Sequence, residues 1–156
     1  MAQYKALSVA GDRGGFMQAF GNAVAAYDVV TPSAALALND TVDLIWVPGG
    51  TTLLDLETWN GDLDTGTTLQ FKLGYRKAKS TDVYSGSMVD DDDYFGATLT
   101  TFQAAVLKSA ATRWAFTPLT FNTDVIITAT VTAAATGVSG TPSISAIFRG
   151  IARGIK

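Results

Sequence analysis

The chain has 156 residues, a formal net charge of −3, and neither cysteine nor histidine. A chain of this length is expected to form one domain with a substantial core. Without cysteine there are no disulfides or thiolate sites, and without histidine the commonest general base and transition-metal ligand are missing, so most enzyme mechanisms are excluded. The acidic balance argues against a nucleic-acid-binding domain, and no apolar run approaches the roughly 20 residues of a membrane span.

The surface is expected to carry few charges. Charged residues make up only 16% of the chain, whereas a typical soluble domain has about 25%. A surface rich in Thr, Ser, Gly and Ala is easier to desolvate, which favours contacts with other subunits or a scaffold, although a compact and robust monomer would have a similar composition. The first 15 residues lack the apolar core of a secretory signal, so we expect synthesis in a cytoplasm.

The start of the chain is expected to form an arm. Residues 1–23 have few apolar residues at strand spacing and contain three glycines between positions 11 and 15. Phe16, Met17 and Phe20 are the large apolar side chains of this segment, and we expect them to contact a partner. The alternative is that the two phenylalanines pack onto the protein's own body.

The main domain is expected to cover residues 24–156. A first strand is predicted near residues 24–31, where β-branched residues cluster and Pro32 follows, and a further short strand is possible at residues 34–38. Between residues 42 and 74, three segments alternate apolar and polar residues and are separated by glycine-containing turns. This pattern predicts three consecutive strands of an antiparallel meander with one buried and one solvated face.

The rest of the chain gives a mixed pattern. Residues 75–98 hold a basic cluster and an aspartate run and are expected to be rich in loops. A short helix is predicted near residues 99–108, because apolar residues recur at helical spacing with acids before them and a lysine at the end. Strands are predicted at residues 113–116, 124–133 and 144–151. Together these segments predict an all-β protein, an antiparallel β-sandwich or barrel of about eight strands.

Five short motifs, in this order, make up a pattern over residues 40–150. They are Pro48-Gly49-Gly50, Leu54-Asp55-Leu56, Gly66-Thr67-Thr68, Asp92-Asp93-Tyr94-Phe95, and the strand at residues 124–132. The pattern resembles that of small structural proteins of tailed-bacteriophage virions. The resemblance implies a jelly-roll-like β-sandwich that serves as a head decoration, or cement, protein, or as another minor head or neck component. The arm lies outside the pattern.

The resemblance also implies a non-enzymatic role in the virion. The expected partners are the major capsid protein or other virion proteins, bound so that the protein bridges neighbouring subunits and strengthens the assembled head. We expect a homo-oligomer, with a trimer favoured over a dimer, and no cofactor, nucleic acid or membrane contact. The second hypothesis is a carbohydrate- or receptor-binding β-sandwich of a tail or head fibre.

Two acidic groups are candidate chemical sites. Asp55 and Glu57 lie two positions apart on one strand, a spacing that a glycosidase pair could use, but burial of Leu54 and Leu56 would leave both acids facing water. The run Asp90, Asp91, Asp92 and Asp93 offers oxygen ligands for a hard cation such as Ca²⁺. Because the run lacks the spaced pattern of an EF-hand loop, a solvated loop is the favoured interpretation.

The three tryptophans are candidates for an aromatic platform that would bind sugar rings. Trp46 alternates with the apolar residues of its strand and is expected in the core. Trp59 precedes Asn-Gly, a turn sequence, and is expected to be exposed and to contact a partner. Trp114 carries no further signal.

Overall fold

A computed structural model describes residues 1–6, 18–20, 22–86 and 88–152, with only the backbone described for residues 18–20 and Lys108. These ranges contain eleven β-strands and two short 3₁₀ turns. The strands are β1 (Gln3–Lys5), β2 (Gln18–Phe20), β3 (Ala23–Val30), β4 (Thr41–Val47), β5 (Thr51–Asn60), β6 (Gln70–Lys77), β7 (Asp91–Leu99), β8 (Thr112–Arg113), β9 (Leu119–Thr120), β10 (Val125–Ala133) and β11 (Ile144–Ala152). Among the described residues, none forms a helix that is long and apolar enough to cross a membrane.

The strands form two sheets that pack face to face around one core. Sheet A has the order β1-β4-β10-β6-β7, and sheet B has the order β2-β3-β11-β5-β8, with β9 also paired to β5. The largest fully buried side chains between the sheets are Phe71, Phe102, Phe121 and Phe148. The predicted all-β antiparallel sandwich is therefore confirmed, whereas its jelly-roll strand order stays a prediction.

The predicted meander is wrong in its pairing. β4, β5 and β6 are all present, but β4 and β6 flank β10 in sheet A, while β5 lies beside β11 in sheet B. The turn after β4 is bound across the sandwich, because Gly49 donates its N–H to Asp124 Oδ1 (2.8 Å) and Gly50 donates to the Phe121 carbonyl (2.8 Å). Alternation of apolar residues predicts that a segment is a strand with one buried face, but it does not name the partner strand.

Two β-bulges change which side chains are buried. In β4, the register with β10 shifts so that Leu44 has no directly paired residue, and beyond it Trp46 points to the outer face of sheet A. In β5, the register with β11 shifts at Leu54, which is 46% exposed although it was expected in the core. Beyond an extra residue in one strand, the side chains that would have pointed into the core point outward instead. The expectation that Trp46 lies in the core is therefore also wrong.

Several weaker predictions fail for local reasons. The aspartate run was expected in a loop, but Asp91–Leu99 is β7, an edge strand of sheet A, where charged side chains are tolerated because they face solvent. The helix near residues 99–108 is absent, and 3₁₀ turns at Thr101–Gln103 and Lys108–Ala110 take its place. Residues 34–38 form no strand, and the strand predicted at residues 113–116 is limited to β8.

The start of the chain joins the body. β1 pairs with β4 and Ala6 is fully buried, so the expectation that residues 1–23 lie outside the core is wrong for this part. β2 pairs with β3, which places the backbone of Phe20 opposite Ala23. Phe16 and Met17 lie outside the described residues, and the contact role of all three large side chains, like the domain boundary at residue 23, stays a prediction.

Candidate interaction surface

The carboxylates of the aspartate run bind neighbouring protein groups. Within the described ranges, no group of three or more acidic, His or Cys side chains is arranged to hold an ion. Asp90 Oδ1 accepts hydrogen bonds from the Lys77 N–H (2.8 Å) and the Tyr84 hydroxyl (2.9 Å). Asp90 therefore closes the loop between β6 and β7. Burial of the Tyr84 hydroxyl, together with its hydrogen bond to Asp90, raises the pKa of Tyr84.

The other three acids of the run serve the edge strand β7. Asp92 forms an ion pair with Lys72 of the neighbouring strand β6. Asp91 Oδ1 accepts the Asp93 N–H (3.3 Å), and burial together with the carboxylates of Asp93 and Asp92 raises the pKa of Asp91. The carboxylates of Asp91 and Asp92 thus have protein partners, which is a structural use rather than an open ligand set.

The outer face of sheet B carries a group of large side chains, which we call the sheet B face. It is built from alternate positions of β3, β5 and β11, with one residue from β8. Its members are Tyr27, Asp55, Glu57, Trp59, Arg113, Ile147, Arg149 and Ile151. This face combines aromatic and aliphatic side chains with two acids and two arginines.

An aromatic pair forms the centre of the sheet B face. The rings of Tyr27 (β3) and Trp59 (β5) lean over β11 and lie nearly parallel, with centroids 5.7 Å apart and planes inclined by 15°. Tyr27 is 45% exposed and Trp59 is partly buried. The two rings line a pocket of about 240 Å³ together with Glu57, Ile147 and Arg149. The expectation that Trp59 is accessible agrees with this partial exposure.

The charges on the sheet B face neutralise one another. Asp55 binds Arg113 Nε through Oδ1 (2.7 Å) and Arg149 through Oδ2 (2.5 Å), and Arg149 also binds Glu57 (3.0 Å). The hydrogen bonds that Arg149 donates to Glu57 and Asp55 raise the pKa of its guanidinium group. Asp55 was expected to face water, but it is only 7% exposed because both arginines cover it. The two carboxylates are thus tied to arginines rather than set across an open cleft.

The tryptophans do not form one platform. Trp59 lies on the sheet B face, whereas Trp46 lies on the opposite side of the sandwich, on the outer face of sheet A. Trp114 is buried, and its indole N–H donates to Thr58 Oγ1 (3.0 Å). Sequence reasoning missed Tyr27 and Arg149; the available signal was a large side chain at each outward position of an alternating strand.

No protein-family model and no curated protein matches the sequence. Solved structures do match the fold. A chain in the capsid of Ralstonia phage GP4 has a TM-score of 0.69 at 19% identity, covering 96% of this chain and 97% of that chain. A chain in the capsid asymmetric unit of cyanophage Pam1 has a TM-score of 0.59 at 18% identity, covering 86% and 88%. A chain in the acidic stable capsid of Helicobacter pylori bacteriophage KHP30 has a TM-score of 0.52 at 15% identity, covering 87% and 94%.

At these identities the likeness shows the fold. The chain has a β-sandwich fold that occurs in phage capsid structures, in agreement with the β-sandwich, though not yet the jelly-roll strand order, that the sequence motifs implied.

Proposed function

We propose that the protein is a structural component of a phage virion that binds the assembled head as a decoration, or cement, protein. The observation that carries this proposal is the end-to-end match with a chain in a phage capsid, which covers 96% of one chain and 97% of the other. Because both chains are covered almost completely, the matching chain in that capsid structure is about as long as this one. A short separate chain in a capsid fits a role as an addition to the shell.

The sheet B face has the physical properties of a contact surface. Interfaces are enriched in Tyr, Trp and Arg, and their binding energy is concentrated in a few such residues. Tyr27 and Trp59 already stack on each other, so binding would fix little additional side-chain freedom. Two arginines offset two acids, which lowers the cost of removing the surface from water.

We propose the major capsid protein or another virion protein as the partner, with the virion as the location. Bridging of neighbouring subunits requires the protein to bind more than one of them, and a homo-oligomer, with a trimer favoured over a dimer, would supply repeated contacts whose avidity strengthens a modest single contact. The proposed role needs no catalysis and no cofactor.

Co-sedimentation with purified, protein-only capsid shells that lack this protein tests the proposal. The wild-type chain is expected to sediment with the shells, and Trp59→Ala is expected to weaken binding by about 30-fold, the effect of losing an interface residue worth about 2 kcal/mol. Trp46→Ala is the matched control, since it removes a partly buried tryptophan from the opposite face. It should stay within about threefold of wild type.

Failure of the folded wild-type chain to bind shells would refute the decoration role. Loss of binding in Trp46→Ala with normal binding in Trp59→Ala would instead place the contact on sheet A and refute the choice of surface. Both variants should first be checked for an unchanged melting temperature, so that a loss of binding is not a loss of fold.

One observation favours the second candidate function, a carbohydrate- or receptor-binding module. The pocket beside Tyr27 and Trp59 also holds Glu57 and Arg149, and flat aromatic rings beside hydrogen-bonding groups suit sugar rings. A glycan array separates the two candidates. Specific glycan binding that is lost in Trp59→Ala, together with no binding to protein-only shells, would favour this candidate over the first.

A further inference from the structure

β1 differs from the other strands of the sandwich. Among the pairings between described strands, β1 with β4 is the one parallel pair. β1 has three residues, stands at the edge of sheet A, and brings Ala6 into the core behind it. A three-residue edge strand is paired along one side only, so its release would disturb less of the domain than the release of an inner strand.

The edge that receives β1 is built by other parts of the chain. Asp40 accepts the Ala2 N–H through Oδ1 (2.6 Å), while its Oδ2 accepts the Ala37 N–H (2.9 Å). The Ala2 carbonyl in turn accepts the Thr41 N–H (2.9 Å). The contact with Ala37 does not involve β1, so it would still orient the Asp40 carboxylate if β1 left the edge.

A second carboxylate of this edge, that of Asp43, is also bound by residues outside β1. Asp43 is fully buried on the outer face of sheet A, where it binds Arg76 (2.7 Å) and accepts the Thr128 hydroxyl (2.9 Å). Gln3 adds its side-chain amide to the same carboxylate (2.8 Å), and the Asp43 carbonyl accepts the Ala6 N–H (2.9 Å). The β4 edge can therefore bind one extended segment, because Asp40 at one end and Asp43 at the other are already oriented to contact it.

We propose that β1 is an exchangeable strand, and that the β4 edge accepts β1 from a second copy of this chain. β1 makes the same hydrogen bonds whether it pairs with its own β4 or with the β4 of another copy. The main free-energy cost of exchange is therefore that of bringing two chains together. The chain between Ala6 and Gln18 has twelve peptide steps, which reach up to about 40 Å when extended. That reach allows β1 to pair with its own β4 or with that of an adjacent copy.

Charge favours the sequence of β1 as the occupant. Lys5 lies opposite Asp43 in the β1–β4 register. The edge presents the carboxylates of Asp40 and Asp43, of which Asp43 is already paired with Arg76. Every copy of the protein supplies this segment. Exchange between copies therefore needs only this protein and can be measured in solution without a shell.

The chain contains no cysteine, so single cysteines report the pairing directly. Gln3 lies opposite Thr41 in the β1–β4 register. A Gln3→Cys chain is mixed with a Thr41→Cys chain that carries a tag of different length, each at about 1 mM. A short linker gives the pairing within one chain an effective concentration of about this size, so pairing between chains can compete with it. After oxidation, a cross-linked heterodimer containing one chain of each kind is expected.

Thr130→Cys is the matched control. Thr130 lies opposite Thr41 on the far side of β4, so it is two strand spacings, about 9–10 Å, from Gln3 and beyond the reach of a disulfide. The heterodimer of Gln3→Cys with Thr41→Cys should be at least fivefold more abundant than that of Gln3→Cys with Thr130→Cys. Equal yields would mean random collision and would overturn the proposal.

A chain with both Gln3→Cys and Thr41→Cys defines the remaining outcomes. If this chain closes its disulfide internally while the mixed single variants give no heterodimer above the control, β1 pairs only within its own chain and exchange is excluded. If the double variant does not close at all, the pairing of β1 with β4 is itself wrong. Neither outcome bears on the binding of wild-type protein to shells, so the proposed function is judged separately.

Discussion

Asp64 offers the sharpest test of what holds the sandwich together. Its buried carboxylate lies in the connection from β5 to β6 and accepts four backbone N–H groups. Oδ1 binds the amides of Gly66 (3.0 Å) and Thr136 (2.8 Å), and Oδ2 binds those of Thr68 and Leu69 (2.7 Å each). Burial alone would raise the pKa of Asp64, but the four donors outweigh it and lower the pKa far below its ordinary value of 3.8.

Asp64→Asn keeps the size of the side chain and removes its ability to accept at both ends. Whichever way the amide is turned, its NH₂ group faces two backbone N–H donors. Hydrogen bonds to charged groups contribute about 1.5–3 kcal/mol each, so losing two should cost about 3–6 kcal/mol. For a domain of this size, about 2–4 °C of melting temperature corresponds to 1 kcal/mol, which predicts a fall of roughly 6–24 °C.

Thermal unfolding followed by circular dichroism measures this effect, with Asp62→Asn as the control. Asp62 lies in the same connection but makes one weaker bond, to the Asp64 N–H (3.2 Å), so its change should cost less than about 1 kcal/mol. A melting temperature of Asp64→Asn within about 2 °C of wild type would refute the reasoning.

The pH dependence supplies an independent check on Asp64. Because its folded pKa is lowered, its contribution to stability is present above the unfolded value near 3.8 and is lost as the pH falls through the folded value. Below pH 4, wild-type stability should therefore fall more steeply than that of Asp64→Asn, by up to about 1.4 kcal/mol per pH unit. Equal slopes for the two proteins would show that Asp64 is not the titrating group.

Two further predictions concern the sheets. Gly74→Ala would place a Cβ inside the backbone of Asp91 and Asp92, so β7 would have to move off β6. We expect the free energy of unfolding to fall by more than about 3 kcal/mol, or soluble protein to be lost. A normal melting curve would contradict the close approach. Asp55→Asn should lower the free energy of unfolding by about 2 kcal/mol, because two arginines lose their shared carboxylate. Glu57→Gln should lower it by less than about 1 kcal/mol. Urea unfolding that ranks the two variants the other way would contradict the burial of Asp55.

The strands of the fold were predictable where their alternation is unbroken. β10 and β11 have apolar residues at alternate positions over nine residues each, and the structure confirms both. The sequence around Leu44 and Leu54 gave no sign of the bulges there, because a bulge is fixed by the register of the partner strand rather than by local preference. For the same reason, β4, β5 and β6 were predicted as neighbours in one sheet, although β5 lies in the other sheet.

The interaction surface was predictable only in part. Trp59 has a local signal, since it precedes Asn60-Gly61, and it does remain accessible. Tyr27 and Arg149 become relevant only because β11 brings β3 and β5 to either side of itself, which joins residues more than a hundred positions apart. Long-range pairings of this kind cannot be inferred from spacing along the chain.

The two outer faces of the sandwich are covered to different extents. On sheet A, Gln3 and Arg76 close over Asp43, and the apolar Ile126 is only 4% exposed although it points away from the core. On sheet B, Tyr27 is 45% exposed and Ile151 is 39% exposed. The chain therefore covers one face with its own side chains and leaves apolar side chains uncovered on the other.

This asymmetry separates two possible directions of contact. The sheet B face is available to a partner that lies against the sandwich, whereas the β4 edge, on the other sheet, is available to β1 from a neighbouring copy. A protein that bridges subunits needs both kinds of contact, one to the shell and one to its own neighbours, and they must not compete for the same residues. Because Trp59 and Gln3 lie on different sheets, Trp59→Ala should reduce shell binding without changing the Gln3–Thr41 cross-link, and a variant that alters both would show that the two contacts are one.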